Sequence, residues 1–206
     1  MANDYKWLKW ISEIQAIAQA GLSYTTNEYD IERYVRLRAI AAEIAADHAE
    51  NTVEEILERF TLEKGYTTPK VDVRAFILHK EKVLLVKERT DGLWSLPGGW
   101  ADVNESPSET IIRETKEETG FDVSATKLLA FWDILKHDHP LQWPHIYKCV
   151  FHCQIIAGDA KENLEISEID FFDIHDLPPL SLNRITEKQI QRLYELVSKP
   201  QDTEFD

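Results

Sequence analysis

Residues 96–121 read LPGGWADVNESPSETIIRETKEETGF: two adjacent glycines, a helix start, then three crowded glutamates. Ser106, Pro107 and Glu109 predict the helix start. The serine hydroxyl caps free backbone N–H groups, proline is tolerated at the first position, and Glu109 completes a Ser-x-x-Glu box. Gly120 predicts the stop. Glu114 lies three residues from Glu117 and four from Glu118, so all three carboxylates share neighbouring parts of one face. They crowd the C-terminal end, where the helix dipole disfavours negative charge. Like-charged pairs at this spacing cost roughly 0.2–0.5 kcal/mol each when solvated. A divalent cation reverses that sign, because a compact set of hard oxygen donors suits magnesium or manganese. The alternative, for such a stretch taken alone, is a solvated acidic face.

Around this stretch the chain of 206 residues divides in two. The first 64 residues contain no proline and carry apolar residues at helical spacing, in Trp7, Leu8, Ile11, Ile14 and Ala18 and again in Ile31, Tyr34, Val35, Ala41 and Ile44, with Arg38 in the same row. Gly21 predicts the end of the first helix. Thr52 and Glu55 predict a capped third helix, with a stop at Gly65. Pro69 then ends the helical reading, and VDVRAFILH and KVLLVKE begin a β-rich texture. Further strands are predicted at about 124–135, 145–156 and 168–172, and a last helix near Thr186. The reading is an α+β chain: a small helical domain over 1–64, a linker over 65–70, and a domain over 71–206 built as an α/β/α sandwich on a mixed sheet.

Composition narrows the partners. A net charge of -14 and the lack of any Lys/Arg-dense run argue against nucleic acid or an anionic membrane surface, both of which need a basic footprint. No apolar run approaches the ~20 residues that span a bilayer, and the N-terminus does not read as a signal peptide, so a cytoplasmic location is expected. Cys149 and Cys153 lie in one predicted strand, roughly 13 Å apart at 3.3 Å per residue, too far for a disulfide. Two buried thiols in a reducing compartment are expected.

From Gly99 the chain shows five residues, Glu105, seven residues, Arg113, Glu114, Thr115, Lys116, Glu117, Glu118, Thr119, Gly120 and Phe121. This resembles the Nudix box, with one departure at Thr115, where the family prefers an aliphatic residue. The resemblance implies hydrolysis of a nucleoside diphosphate linked to another group, with Mg2+ or Mn2+ held by Glu114, Glu117, Glu118 and the Gly99 carbonyl. It implies that Arg113 fixes the glutamates, that Glu105 belongs to an outer network, and that Gly120 is structural. Glu117, Glu118 and Arg113 then form the catalytic set. Some members add an acidic residue from downstream of the box; Glu165 and Glu168 are the candidates here, with Glu168 preferred.

The similarity extends beyond the box, through YKWLKWISEIQAIAQAGLSY to LPPLSLNRITEKQI. Those segments resemble the Nudix subgroup with an N-terminal helical domain, characterised for CDP-choline pyrophosphatase activity and often labelled ADP-ribose pyrophosphatase. The resemblance implies cleavage of CDP-choline to CMP and phosphocholine, with ADP-ribose as the alternative substrate and a homodimer formed through the helical domain. Candidates to meet a choline ammonium or line the substrate mouth are Trp100, Trp132, Trp143, His137 and His139. A reading of another class is a nucleotide sensor that binds without cleaving. The intact glutamates and the lack of a basic recognition helix disfavour it.

Overall fold

The computed structural model describes residues 6–62, 64–140, 142–199 and 201–206. Two compact units meet between Thr68 and Pro69. The first holds α1 (Lys6–Tyr24), α2 (Glu28–Ala46) and α3 (Val53–Thr61). Its core is Ile11, Ala41, Ala42, Ile56 and Phe60, with Trp7 and Ile14 packed against it.

Two of its helix ends differ from the sequence expectation. The first helix continues through Gly21 to Tyr24. That glycine is a contact residue, because a Cβ there would lie 2.3 Å from the Tyr34 ring of α2. Gly21→Ala is therefore expected to destabilise this unit by about 1–3 kcal/mol through overpacking, read as a lower thermal midpoint of its helical signal. The third helix stops at Thr61, ahead of Gly65. Its apolar stripe is exhausted at Phe60, since the next apolar residue, Leu62, is exposed. Its start is the expected capping box, with Thr52 accepting from the Glu55 N–H and Glu55 accepting from the Thr52 N–H.

The second unit contains β1 (Lys70–His79), β2 (Lys82–Glu88), β3 (Trp94–Ser95), α4 (Pro107–Thr119), β4 (Phe121–Asp133), β5 (Ile146–Gly158), β6 (Ile166–Asp173), α5 (Glu187–Ser198) and β7 (Glu204–Phe205). Its first strand starts at Lys70, the last residue of the span read as linker. The sheet order is β3-β2-β1-β5-β4-β7, with β6 on the other edge of β2. β1 runs parallel to β5, and β4 antiparallel to β5, so the sheet is mixed.

Strand alternation sorts the side chains into two cores. Val73, Ala75, Ile77 and Leu84 pack with Ile111 of α4. Phe76, Leu85, Leu129 and Val150 pack with Ile190, Leu193 and Leu196 of α5. The result is a helix, a sheet and a helix in three layers, as period-2 strands buried on both faces require. Cys149 and Cys153 are buried free thiols, pushed by burial up to about 11 and about 12. Among the described residues no helix is long and apolar enough to cross a membrane.

Candidate active site

The glutamate helix begins as its sequence dictates. Ser106 accepts from the Glu109 N–H, Glu109 accepts from the Ser106 N–H, and Pro107 occupies the first turn. It ends at Gly120, which is left-handed at φ 80°. A Cβ at Gly120 would also lie 2.5 Å from the Asp159 carbonyl, so two constraints select glycine. Thr115, the departure from the family pattern, is fully buried, and its hydroxyl donates to the Ile111 carbonyl at 2.7 Å. The polar atom is thereby satisfied inside the helix while the methyl packs.

The glycine pair lies against the helix because residues 97–101 run beside β1 like a further strand. The Ala75 N–H donates to the Pro97 carbonyl, Val73 to Gly99, and Ala101 to Val71, each at 2.8 Å. Gly98 has φ 131°, and a Cβ there would meet the Val73 carbonyl at 2.1 Å. Its N–H donates to Glu118 Oε2 at 2.8 Å. The Gly99 carbonyl, expected as a metal ligand, already accepts one of these sheet bonds and keeps one lone pair.

Arg113 organises the outer carboxylates. It donates to Glu105 at 3.0–3.2 Å, to Asp102 at 2.8 Å, to Glu114 at 2.8 Å and to Glu117 at 3.0 Å. The Arg113 bonds hold the Glu105 carboxyl below its ordinary value. Glu114 is raised, chiefly by burial. Glu118 is only 6% exposed, and burial pushes it up to about 8, aided by the charges of Glu88 and Glu114 and opposed by Arg74 and the Gly98 N–H.

Glu114 and Glu117 turn to Arg113 while Glu118 turns to Gly98, so among the described residues no three acidic, His or Cys groups already converge as a metal shell. The donor set nonetheless fits a hard divalent ion: all ligand atoms are oxygens, on one helix face, with flexible side chains. The missing Cβ at Gly99 also keeps open the space 3.3 Å from Glu114 Oε2.

Beside Gly99 lies a cavity of about 240 Å³, bounded by Asp72, Arg74, Trp100, Lys148, Asn183 and Arg184. Asp72 and Arg74 are two apart on β1 and face away from α4, and Lys148 stands opposite Asp72 on β5. All three are buried; Lys148 is 2% exposed. Arg74 grips Asp72 through Nε at 3.0 Å and Nη2 at 2.8 Å, and the Lys148 ammonium also bonds Asp72. Burial acts to raise Asp72, but Arg74 and Lys148 overcome it and hold the carboxyl below its ordinary value. Burial lowers Lys148. Arg184 reaches buried Glu88 at 3.1 Å and Asp91 at 2.8 Å.

Asp72, Arg74, Glu88, Lys148 and Arg184 were missed in the sequence. For Asp72, Arg74 and Lys148 the signal was charge inside otherwise apolar strands, Asp and Arg at alternate positions of VDVRA and Lys in IYKCV.

Of the other expected site residues, Trp100 borders this cavity and the rest lie elsewhere. Glu168 is paired with Lys87 across β2 and β6, with Nζ to Oε1 at 2.7 Å. Alternation sends it to the α5 face with Phe172, whereas Ile169 and Phe171 face α4. Glu168→Gln should therefore change turnover less than about twofold, as expected of a surface pair; a loss comparable to that of a box glutamate would make Glu168 part of the chemistry.

Trp132 is 1% exposed, its indole N–H donates to Glu204, and it borders a separate cavity near α5 rather than the box-side cavity. His137 packs on Trp132 and bonds Asp206, beside that same cavity. His139 Nδ1 donates to the Leu182 carbonyl at 2.7 Å, which anchors the loop that carries Asn183. Trp143 is partly exposed outside the box-side cavity. Trp100 is half exposed at the cavity rim.

Residues 68–193 match the NUDIX domain, and residues 5–60 match a UDP-X-like, N-terminal oligomerisation domain. YjhB of Bacillus subtilis (strain 168) is 42% identical over 195 residues, 95% of this chain and 94% of that protein. The crystal structure of a UDP-X diphosphatase is similar at 36% identity and a TM-score of 0.66, covering 98% of each chain. That of an ADP-ribose pyrophosphatase from Streptococcus suis 89-1591 is similar at 40% identity and a TM-score of 0.62, over 68% of this chain and 100% of the other. With its glutamate helix, glycine loop and helical N-terminal region, the chain belongs to the Nudix hydrolase family.

Proposed function

We propose that this Nudix pyrophosphatase hydrolyses the diphosphate linkage of a nucleoside diphosphate joined to a sugar or similar polar group. The observation that carries the reading is the set Glu114, Glu117 and Glu118 on one face of α4, seated against Gly98 and Gly99. These glutamates would hold Mg2+ or Mn2+, which when bound supplies neutralisation of the diphosphate and acidification of a water molecule. Arg113 positions Glu114 and Glu117, and Glu105 with Asp102 positions Arg113. The Gly98 N–H orients Glu118.

ADP-ribose ranks first among substrates, on the strength of the Streptococcus suis relative. CDP-choline ranks behind it, because Arg74 and Lys148, two cations sharing one carboxylate in the box-side cavity, repel an ammonium. Trp100 and Trp143 remain the aromatic faces for choline. A panel of ADP-ribose, UDP-sugars and CDP-choline with magnesium or manganese tests both points. Turnover should vanish in EDTA and return with either ion. Binding without cleavage of any member would replace the enzyme by a nucleotide sensor.

The helical unit is proposed to join two chains. Trp10, Ile17 and Tyr24 recur every seven residues on α1 and are exposed, as are Ile31 and Val35 on α2. Such a row on one helix face is surface that a twofold partner would cover. Sedimentation at micromolar concentration should show a dimer; a monomer mass would overturn this assignment.

A further inference from the structure

We propose that Arg74 and Lys148, with Arg184 at the mouth, form a binding site for an anionic phosphoryl or carboxyl group in the cavity beside Gly99. The identity of the molecule bearing that group rests on the proposed hydrolysis; the site itself does not.

The first argument is charge. Asp72, Arg74 and Lys148 carry one negative and two positive charges at 4%, 6% and 2% exposure, in a chain whose net charge is -14. Arg184 pairs with two carboxylates, Glu88 and Asp91, so the six groups are matched in number. The positive charge is therefore concentrated on the Asp72 side of the cavity, where two cations share one carboxylate. Burying two cations on one shared carboxylate is costly, and nothing in the packing requires it, since a methionine at 148 would fill similar volume and leave a neutral Asp72–Arg74 pair.

The second argument is hydrogen bonding. A lysine ammonium has three N–H groups and a guanidinium five, and neither can accept. Lys148 gives one bond to Asp72, while Arg74 uses Nε and one N–H of each terminal nitrogen on Asp72 and the Leu96 carbonyl. Donors on both side chains remain, at the edge of a cavity. A ligand that matches must present acceptor oxygens and negative charge. An ammonium fails on both counts, and a neutral hydroxyl leaves the charge uncompensated.

Two groups share this chemistry: the diphosphate under hydrolysis, and a separate phosphate or carboxylate at the far end of the substrate. The test uses wild-type protein, Lys148→Met and Arg184→Gln. Inorganic pyrophosphate is titrated calorimetrically into each in EDTA, where the box carboxylates hold no cation and repel anions. Wild type should bind, and Lys148→Met should bind ~10-fold or more weakly, because a charge-assisted bond is about twice as strong as a neutral one. Lys148→Met should also melt no lower than wild type, whereas a purely structural lysine would give a lower midpoint and unchanged affinity. Equal affinity in wild type and Lys148→Met, or no binding by wild type, overturns the proposal. Should Lys148→Met fail to fold, the shared-carboxylate argument falls, and Arg184→Gln alone must show the weakened binding for an anion site to stand.

Kinetics separate the sources. A kcat/KM loss shared by ADP-ribose and CDP-choline assigns the diphosphate. A loss confined to derivatives bearing a further phosphate monoester, and seen in KM, assigns the terminal group. If wild type binds pyrophosphate yet cleaves no substrate, the hydrolytic reading fails and the anion site stands.

Discussion

Glu118→Gln should lower turnover on the order of 10²–10³-fold, the scale seen when one preorganised electrostatic group is removed from an active site. The substitution keeps the shape and an oxygen, so the Gly98 N–H can still be satisfied, and the fold should survive. Near-normal rates would show that this carboxylate is not part of the chemistry. The same substitution should act oppositely on the metal-free protein. Burial lifts the folded-state value to about 8 from an ordinary 4.5. A raised value contributes stability that is fully present below pH 4.5 and is lost as pH rises towards about 8. Glutamine avoids that loss. The melting advantage of Glu118→Gln in EDTA should therefore be near zero at pH 4, grow through neutrality and level off above pH 8; an advantage independent of pH would refute the buried-charge account.

The second large effect is expected at Asp72. Asp72→Asn leaves Arg74 and Lys148 buried without the one carboxylate that both hydrogen-bond, and breaking a buried ionic set in this way costs about 3–5 kcal/mol. For a domain of this size the thermal midpoint should fall by on the order of 10 °C. Asp72→Asn combined with Lys148→Met should recover part of that loss, because one of the two stranded cations is gone. An Asp72→Asn variant as stable as wild type would mean that the carboxylate is not what balances them. The contrast with Lys148→Met, expected to cost nothing, separates the anchoring member of the set from the member free to meet a ligand.

What could be read in advance follows from how local each signal is. The caps at Thr52, Ser106 and Thr186, the stop at Gly120 and the face shared by three glutamates depend on residues within one or two turns, and the chain spells them directly. Gly21 was misread as a stop because its reason is the Tyr34 ring on another helix. The face that Glu168 takes is not legible in the chain, because it depends on pairing with Lys87, 81 residues away. Trp132 and Trp94 look alike in sequence to Trp100, and only the packing of α5 separates buried rings from an exposed one. The Asp72, Arg74 and Lys148 set was half visible: alternation marked the charges as sharing a face, but that β1 and β5 run side by side is a tertiary fact.

One strand, β1, connects both halves of the chemistry. The backbone of Val71, Val73 and Ala75 holds the glycine loop, while the side chains of Asp72 and Arg74 floor the cavity. The strand thus acts as a ruler. The offset between the bond to be cut and the group to be recognised is set by successive residues of one extended chain, about 3.3 Å apart. Loop swaps elsewhere could change which molecule is accepted, but not that distance. Inserting or deleting a single residue in 71–75 would exchange the faces and disconnect recognition from cleavage in one step.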